Sequence, residues 1–447
     1  EPPLLPETMR TFLEEKLRKA ATAVDHVKLE PAALLGQLAV LCSEEAARTV
    51  EDGAGEHASR VEKRARALVR ERALGLCRFL QLRPEVATLS PAEAVAAMDR
   101  HTEQTLRHRH AIETTHARLR AECAPERAQK SETDAQDAAS VSERWKAQVA
   151  QEEVLASYAD AACFVGEKRF AVESIEWCAR TIRDFFFGDA WARARVKALR
   201  RACGARSERP APAAIAAIEK ECAEVLAKAR GVETLKLVDI GSCFDPLRSL
   251  LPEFEVTALD LYPKKPSVLR ADFLEVSILP QSSSPVLSAD GTALQALPRA
   301  NYHAVVLSLV LSYVPSPHQR ARIIAAARAL LVSPPSGVGL LLIVTPRSTD
   351  KSYNLAKALP ILDEWRASIE ALGFERQAFE RLEMTSCMSF RTVCNPTEPV
   401  SVGPLRIAFD GEDWAERWGA SPEASVKLFD ESRTFEFIQA RPPQIDE

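Results

Sequence analysis

Between Leu235 and about Cys394, short apolar runs of strand length alternate with stretches of helical period. The pattern predicts strands, in chain order, at LKLVDI, FEVTAL, SVLRA, YHAVVLSLV, VGLLLIV, ERQAFER and SCMSFRTV. Such alternation favours a doubly wound, mostly parallel α/β sheet. The last two strands are close in sequence, so we expect a hairpin at the edge of the sheet. The Ser- and Pro-containing run from Leu279 to Asn301 is expected to be an excursion before the fourth strand.

The chain before this region has a different pattern. From about Leu4 to Gly231 it is rich in Ala, Leu, Glu and Arg with helical spacing and without strand-like alternation. We therefore predict an all-α N-terminal domain at residues 1–230, a Rossmann-like domain at 231–395 and a C-terminal extension at 396–447. Part of that extension is apolar and is expected to pack on the body. The polar segment from Lys130 to Val141 is predicted to be a mobile loop.

Composition limits the class of protein. A chain of 447 residues suggests two or three domains, and 46% hydrophobic residues are enough to form cores. The net charge of −5 argues against bulk attraction to nucleic acid, although a local basic patch stays open. No apolar run reaches the roughly 18 residues of a membrane helix, and the ten cysteines show no metal-ligand spacing. These features favour a cytosolic or nuclear protein with no metal and no membrane span.

The most informative motif is the stretch LVDIGSCFDPLRSLLPEFEVTALDLYP, which is predicted to form a strand, a turn, a short helix and a second strand. A dinucleotide site needs three glycines in the pattern G-x-G-x-x-G, so that the backbone can approach a pyrophosphate. Here those places hold Gly241, Cys243 and Pro246, which makes a tight phosphate cradle unfavourable. Asp260 ends the second strand, where an acid can accept hydrogen bonds from a ribose. The motif therefore favours a nucleoside without phosphates, and S-adenosylmethionine (SAM) is the commonest such cofactor.

Ligands of open α/β sheets bind at the carboxyl ends of the strands, so residues there are the predicted SAM contacts. Gly241 and Ser242 are expected to offer backbone N–H groups and a close approach to the methionine part. Asp260 is predicted to accept the ribose hydroxyls. Leu261, with its neighbour Tyr262, is expected to flank the adenine.

The next strands supply the remaining predicted contacts. Asp272 is expected to accept the adenine amino group, with Phe273 as its apolar neighbour. Ser308 and Leu309 end the fourth strand, where the sulfonium and its methyl group would point. Trp177, in the helical half, has two interpretations: it is an anchor of the helical core, or it forms a lid over the cofactor.

No catalytic residue is predicted. Amino methyltransferases often carry an Asn-Pro-Pro-aromatic box after the fourth strand, but this chain reads LSLVLSYVPSPHQR, with no acid or histidine before His318. Methyl transfer without a catalytic base stays open as an alternative, because placing the acceptor in the right orientation next to the methyl group can supply much of the rate. The basic run from Trp191 to Pro210 is interpreted either as a solvated helix face or as a contact for RNA or an acidic protein.

Resemblance to a known family is carried by several stretches: LVDIGSCFDP, SIEWC, LSLVLSYVPSPHQR, and LLLIVTPRST followed by EWRASIEALGF. Together they resemble the SAMTOR family, the S-adenosylmethionine sensors that act upstream of the target-of-rapamycin kinase complex. The resemblance runs from about Arg107 to Cys394. A related fungal branch methylates an adenine N1 in 25S ribosomal RNA, and the stretch TPRSTDKS is closer to the sensor branch.

The resemblance implies a helical N-terminal domain followed by a Rossmann-like, SAM-dependent methyltransferase-like domain that holds SAM or S-adenosylhomocysteine. The family's turn glycine and strand-end aspartate match Gly241 and Asp260. It also implies a nutrient sensor of target-of-rapamycin signalling that engages the GATOR and KICSTOR complexes when SAM is absent. The expected location is cytoplasmic, with lysosome-surface recruitment through partners. Under the methyltransferase alternative, the partner is RNA and the location nucleolar.

Overall fold

The computed structural model describes residues 5–21, 30–49, 57–123, 134–204, 209–231, 234–334, 336–347, 355–393 and 405. The chain divides into two compact units, Glu1–Arg109 and His110–Glu447. The change from helices to alternating strands and helices falls later, between residues 231 and 235. The boundary at residues 230 and 231 therefore marks a change of secondary structure, and as a domain boundary it stays a prediction.

The first unit is helical, as its composition predicts. It contains α1 (Glu7–Ala21), α2 (Pro31–Thr49), α3 (His57–Leu82), a 3-10 helix (Pro84–Thr88) and the first part of α4 (Pro91–Cys123). Leucines at helical spacing form its core, and Leu13, Leu17 and Leu34 are fully buried. Helix α4 begins at a capping box, because the Ser90 N–H donates to the Glu93 carboxylate at 2.9 Å.

The second unit begins with the end of α4 and continues through further helices. These are α5 (Asp134–Val149), α6 (Glu152–Gly166), α7 (Arg169–Phe186), α8 (Ala190–Gly204) and α9 (Pro212–Arg230). The loop predicted from Lys130 to Val141 is wrong from Asp134 onward, where α5 begins; residues 130–133 lie outside the described part. Polar and alanine-rich residues such as DAQDAAS are compatible with a helix as well as with a loop, and the sequence pattern does not distinguish the two.

A seven-stranded sheet follows. Its strands are β1 (Leu235–Ile240), β2 (Phe254–Asp260), β3 (Val268–Arg270), β7 (Ala304–Ser308), β8 (Leu340–Pro346), β9 (Phe374–Arg381) and β10 (Thr385–Thr392). The strands between β3 and β7 in the chain belong to a separate small sheet: β4 (Ser277–Leu279), β5 (Val286–Leu287) and β6 (Leu294–Pro298). The order is β3-β2-β1-β7-β8-β10-β9. All neighbours pair in parallel except β10, which pairs antiparallel with both β8 and β9.

This architecture confirms the predicted fold class and the hairpin at the edge. The helices that connect the sheet strands are α10 (Pro246–Leu250), α11 (Pro317–Leu330) and α12 (Leu355–Ala371). Successive side chains of β1 enter different cores: Val238 and Ile240 pack on one face, and Leu237 packs on the other with α7. Both faces of the sheet are covered, which explains why its strands read as continuous apolar runs.

The excursion predicted before the fourth sheet strand is present and has a structure of its own. It includes the three-stranded sheet β4-β6-β5. Most of the C-terminal extension lies outside the described residues. Within it, Leu405 is buried, and its N–H donates to the Pro317 carbonyl at 3.1 Å.

Candidate functional site

Gly241 makes the turn that follows β1. Its φ is +72°, and its N–H donates to the Leu259 carbonyl at 2.8 Å. A Cβ at this position would lie 2.7 Å from Cγ2 of Val310. Glycine is therefore required twice, for its left-handed conformation and for the close approach of the chain after β7.

Asp260 lies at the end of β2, beside the Gly241 turn. Its Oδ2 accepts from the Cys243 N–H at 3.0 Å, and its Oδ1 accepts from the Tyr262 N–H at 2.8 Å. Burial raises the pKa of Asp260 to about 6, although these two backbone hydrogen bonds oppose the shift. The carboxylate is thus held in a fixed orientation, with lone pairs that two backbone donors leave available to a ligand.

Ser242 does not present its backbone N–H as predicted, because that group donates to the Leu259 carbonyl at 3.0 Å. The same carbonyl accepts from Gly241, so pairing between β1 and β2 extends into the turn and engages both predicted donors. The Ser242 hydroxyl instead donates to Oδ2 of Asp239 at 2.7 Å. The geometry is compatible with the other prediction for these residues, that the backbone closely approaches the methionine part of SAM.

Asp239 is a buried acid that the sequence analysis did not single out. It is 2% exposed in the second-last position of β1. Burial raises its pKa to about 7, the Ser242 hydrogen bond opposes the shift, and the carboxylates of Asp245 and Asp260 add to it. An acid within the apolar run LVDI was the available signal, because an acid in a buried strand requires a specific partner.

Asp272 lies two residues beyond β3 and is already hydrogen-bonded within the chain. Its Oδ2 accepts from Nε1 of Trp145 at 2.8 Å, and its Oδ1 accepts from the Leu274 N–H at 3.0 Å. Burial raises the pKa of Asp272, and both hydrogen bonds oppose the shift. Phe273 is buried in the core beside the sheet. The carboxylate therefore faces α5, from which the indole comes.

Ser308 ends β7 and Leu309 follows it directly, close to the predicted strand end. Leu309 has a φ of +62°, which is unusual for a side chain with a Cβ, and its N–H donates to the Val344 carbonyl at 2.9 Å. Its own carbonyl accepts from the Ser312 hydroxyl at 2.9 Å. Left-handed residues of this kind are often found where a chain turns sharply at a functional site.

Trp177 is 2% exposed in the core between α7 and the sheet. The same hydrophobic cluster includes Leu309 at its margin. This burial is that of a core anchor, which was the first of the two interpretations. Direct contact of Trp177 with a cofactor stays a prediction.

An aromatic cluster that the sequence analysis missed lies at this edge of the sheet. It consists of His116 on α4, Trp145 on α5, Tyr158 on α6 and Tyr313 after β7. Ring centroids are 4.5 Å apart for Tyr158 and Tyr313 and 5.8 Å apart for Trp145 and Tyr313. Nε2 of His116 and the Tyr158 hydroxyl oxygen are 3.2 Å apart. The partly buried Leu261 and Tyr262 pack against the same cluster, so it adjoins the predicted adenine position.

Tyr158 connects the cluster with Asp260, the predicted acceptor of the ribose hydroxyls. Burial raises the pKa of its hydroxyl well above the ordinary value, and the nearby Tyr313, Asp260 and Cys243 add to the shift. Tyr313 could have been noticed as an aromatic residue a few positions beyond a strand end. Tyr158 and Trp145 gave no such signal, because helices distant in sequence bring them to the sheet.

Arg320 fixes the segment that carries Tyr313. The fully buried guanidinium donates to the carbonyls of Val314, Pro315 and Leu405 at 2.7, 2.8 and 3.0 Å. Three carbonyls from two stretches of the chain thus share one cation, which orders the path of the segment after β7. The next chemical candidate of the sequence, His318, is exposed at the start of α11.

The other features noted in the sequence lie elsewhere. The basic run lies in α8 as far as Gly204, and residues 205–208 lie outside the described part. In α8, Arg193 pairs with Asp184 at 2.6 Å and Arg195 pairs with Glu221 at 2.9 Å. No group of side chains in the described part could hold a metal ion. Among the helices within those same ranges, none is both long enough and apolar enough to cross a membrane.

Comparison with known proteins now bears on this site. A family model described as 25S rRNA (adenine(2142)-N(1))-methyltransferase, Bmt2, matches residues 200–377. A protein of Danio rerio named S-adenosylmethionine sensor upstream of mTORC1 is 32% identical over 269 residues, which is 57% of this chain and 64% of that protein. The predicted resemblance is confirmed.

A second sensor of the same name, from Xenopus tropicalis, is 29% identical over 225 residues. That match covers 48% of this chain and 54% of the relative. The chain thus spans less than two thirds of the length of each of these sensors. The chain is thus similar both to the sensors and to the ribosomal RNA methyltransferase family. This agrees with the motif-based expectation that the two groups are related.

Solved structures with some likeness include methyltransferases. The antibiotic-resistance methyltransferase Kmr is 18% identical and covers 38% of this chain and 92% of its own, with a TM-score of 0.23. The N-methyltransferase NodS from Bradyrhizobium japonicum, in complex with S-adenosyl-L-homocysteine, is 15% identical and covers 39% of this chain and 87% of its own, also with a TM-score of 0.23. The fold class rests on the strand order, and these low scores carry no argument about the site.

Proposed function

We propose that this chain binds SAM at the carboxyl edge of its sheet and signals SAM availability to the target-of-rapamycin pathway. The Asp260 carboxylate, oriented by the N–H groups of Cys243 and Tyr262, carries this proposal. It lies beside a turn at Gly241 that excludes any side chain. A ribose with two hydroxyls fits such an acceptor, and a nucleoside without phosphates needs no glycine-rich cradle.

A sensing role is favoured over catalysis by the segment after β7. Between Leu309 and Pro317 the chain has no acid, histidine or lysine that could take a proton from a methyl acceptor. Tyr313, the aromatic residue of this segment, is buried against Tyr158 and Trp145. We infer that the bound ligand changes how α5 and α6 pack at this edge, and that partners recognise the change. Such a switch requires SAM to bind one arrangement more tightly than the other.

The partners proposed by family resemblance are complexes of the GATOR and KICSTOR type, reached in the cytoplasm. The tagged chain is expressed in cells, captured with and without added SAM, and probed for subunits of these complexes. We expect capture in the absence of SAM and release when SAM is added. Asp260→Ala should hold the partners at either SAM concentration, whereas Asp189→Asn, at an exposed surface aspartate, should respond like the wild type. If the wild type captured the same amount of partner with and without SAM, the proposal that SAM controls partner binding would be refuted.

A second function, adenine-N1 methylation of ribosomal RNA, is favoured by the family model that matches residues 200–377. In this reading the basic helix α8 contacts the RNA backbone, and proximity to the SAM sulfonium supplies the rate. Incubation of the chain with total RNA and tritiated SAM tests it. Tritium that the wild type transfers to RNA, and that Asp260→Ala does not, would show that the chain is an RNA methyltransferase.

The RNA contact has its own test within that experiment. The charge reversals Arg200→Glu and Arg201→Glu should weaken RNA binding and flatten its dependence on salt. If no label enters RNA while SAM still binds, the sensor function stands and the enzymatic one does not.

A further inference from the structure

The indole of Trp145 occupies an acceptor that the SAM site needs. Trp145 is 2% exposed, and its Nε1 donates to Oδ2 of Asp272 at 2.8 Å. The other oxygen of this carboxylate accepts from the Leu274 N–H. Asp272 is the residue predicted to accept the amino group of adenine. In the described structure, an internal donor therefore already uses the carboxylate predicted to accept that amino group.

The surroundings of the indole are those expected of a bound adenine. Tyr313 meets the Trp145 ring edge to face, with centroids 5.8 Å apart and planes at 77°. Leu261, Tyr262 and Leu274 pack against the same cluster. Indole and adenine are both flat bicyclic rings with an N–H donor at the edge. The two groups have matching chemistry, so they compete for one space and one carboxylate.

The contact joins elements that are far apart in sequence. Trp145 belongs to α5, whereas Asp272 follows β3 in the sheet. A second contact from the same helix supports the docked arrangement, because Nζ of Lys146 lies 3.4 Å from a carboxylate oxygen of Glu275. Lys146 and Glu275 are both about half exposed, so this ion pair contributes little stability and is easily broken. The tryptophan is thus the main anchor between α5 and this edge of the sheet.

We propose that Trp145 fills the adenine position in the SAM-free chain, and that SAM displaces its indole from Asp272 and so releases the docked end of α5. This inference rests on the proposed function, since it assumes that SAM binds at this edge. It identifies the moving element and explains how a small ligand alters a protein surface. The apparent affinity of a ligand that must displace an internal group is its intrinsic affinity multiplied by the fraction of chains in the open state.

The first test is a titration of SAM into the full chain and into Trp145→Phe, which keeps an aromatic ring but removes the N–H donor. We expect the variant to bind SAM roughly tenfold more tightly, because one hydrogen bond to a carboxylate no longer competes. Trp365→Phe is the matched control, since Trp365 is equally buried but lies on α12. Its SAM affinity should equal that of the wild type.

The second test takes its readout from the unaltered sequence, and the variant serves only to assign the resonance. The full chain is labelled with 5-fluorotryptophan, and the resonance of Trp145 is assigned by its loss in Trp145→Phe. SAM should shift this resonance strongly, towards that of an exposed indole, and should leave the Trp365 resonance in place. Hydrogen exchange should rise at the same time in the amides of α5.

Each outcome decides the inference. Equal or weaker SAM binding by Trp145→Phe, or an unchanged Trp145 resonance when SAM is bound, would overturn it, because the indole would then be a fixed wall of the site. Tighter SAM binding by Trp145→Phe than by the wild type, together with a SAM-induced shift of the Trp145 resonance in the wild type, would support it. Absence of SAM binding to the wild type and the variant alike would overturn the proposed function itself, and is distinguishable because neither titration would then give a signal.

Discussion

Replacing the buried Asp239 with asparagine should change how the stability of this protein depends on pH. The carboxyl is 2% exposed, and its folded-state pKa is raised to about 7 from the ordinary value of 3.8. Burial is the main cause, with Asp245 and Asp260 adding to it. Asparagine keeps an oxygen that can accept from the Ser242 hydroxyl, so the substitution removes the ionisation and preserves the hydrogen bond.

The magnitude follows from linkage. The folded state binds the proton more tightly than the unfolded state, so the contribution of Asp239 becomes less favourable as the pH rises from about 4 to about 7. Each pKa unit corresponds to about 1.4 kcal/mol, and the part of the shift that acts between pH 5 and pH 8 is worth about 3 kcal/mol. Relative to the wild type, Asp239→Asn should therefore be more stable at pH 8 than at pH 5 by about 3 kcal/mol.

Urea unfolding followed by tryptophan fluorescence at the two pH values measures this difference, since the free energy of unfolding falls linearly with urea. Asp189→Asn, at an aspartate whose side chain is 68% exposed, is the matched control and should show no such pH-dependent gain. A stability difference between wild type and Asp239→Asn that stays constant from pH 5 to pH 8 would refute the reasoning. A difference that grows in the opposite direction would show that the ionised carboxylate is stabilised by the fold.

Further predictions concern the turn, the buried guanidinium and a pair of thiols. Gly241→Ala should lower the free energy of unfolding by about 2 kcal/mol, because a Cβ would contact Val310 at a left-handed position; an unchanged urea midpoint would count against the turn described. Arg320→Met should cost about 3 kcal/mol, since three backbone carbonyls lose a charged donor, and thermal unfolding measures the loss. The sulfur atoms of Cys163 and Cys243 lie 3.5 Å apart, so diamide should oxidise the two thiols to a disulfide. Burial raises the pKa of both thiols, and the thiolate is the reactive form, so the oxidation should be faster at higher pH. Peptide mapping without reductant should find this disulfide, and its absence in the folded, oxidised chain would contradict the packing of α6 on the turn.

Much of the sheet was predictable because its signals are local. Most strands of the large sheet lie on apolar runs of the sequence, with the polar β9 as an exception. Gly241 follows the run of β1, and Asp260 ends that of β2. The order of strands follows from short connections and parallel pairing. For this reason Gly241, Asp260 and Leu309 could be placed at one edge before any coordinates were known.

The aromatic cluster beside the site was not predictable in the same way. Trp145, Tyr158 and His116 belong to separate helices, and they meet Tyr313 only through the packing of those helices on the sheet. Helical periodicity shows which face of a helix is apolar, but not which partner covers it. The misread start of α5 had the same origin, since a polar helix without a strong apolar stripe has the composition of a loop.

Calorimetric titration of SAM tests the central claim most directly. The wild type and the control Asp189→Asn should bind SAM with equal affinity, and Asp260→Ala should lose the binding because no other group replaces the carboxylate held by Cys243 and Tyr262. Circular dichroism of the variants would verify that the fold is retained. Absence of SAM binding to the wild type, or binding by Asp260→Ala that equals the wild type, would contradict the account.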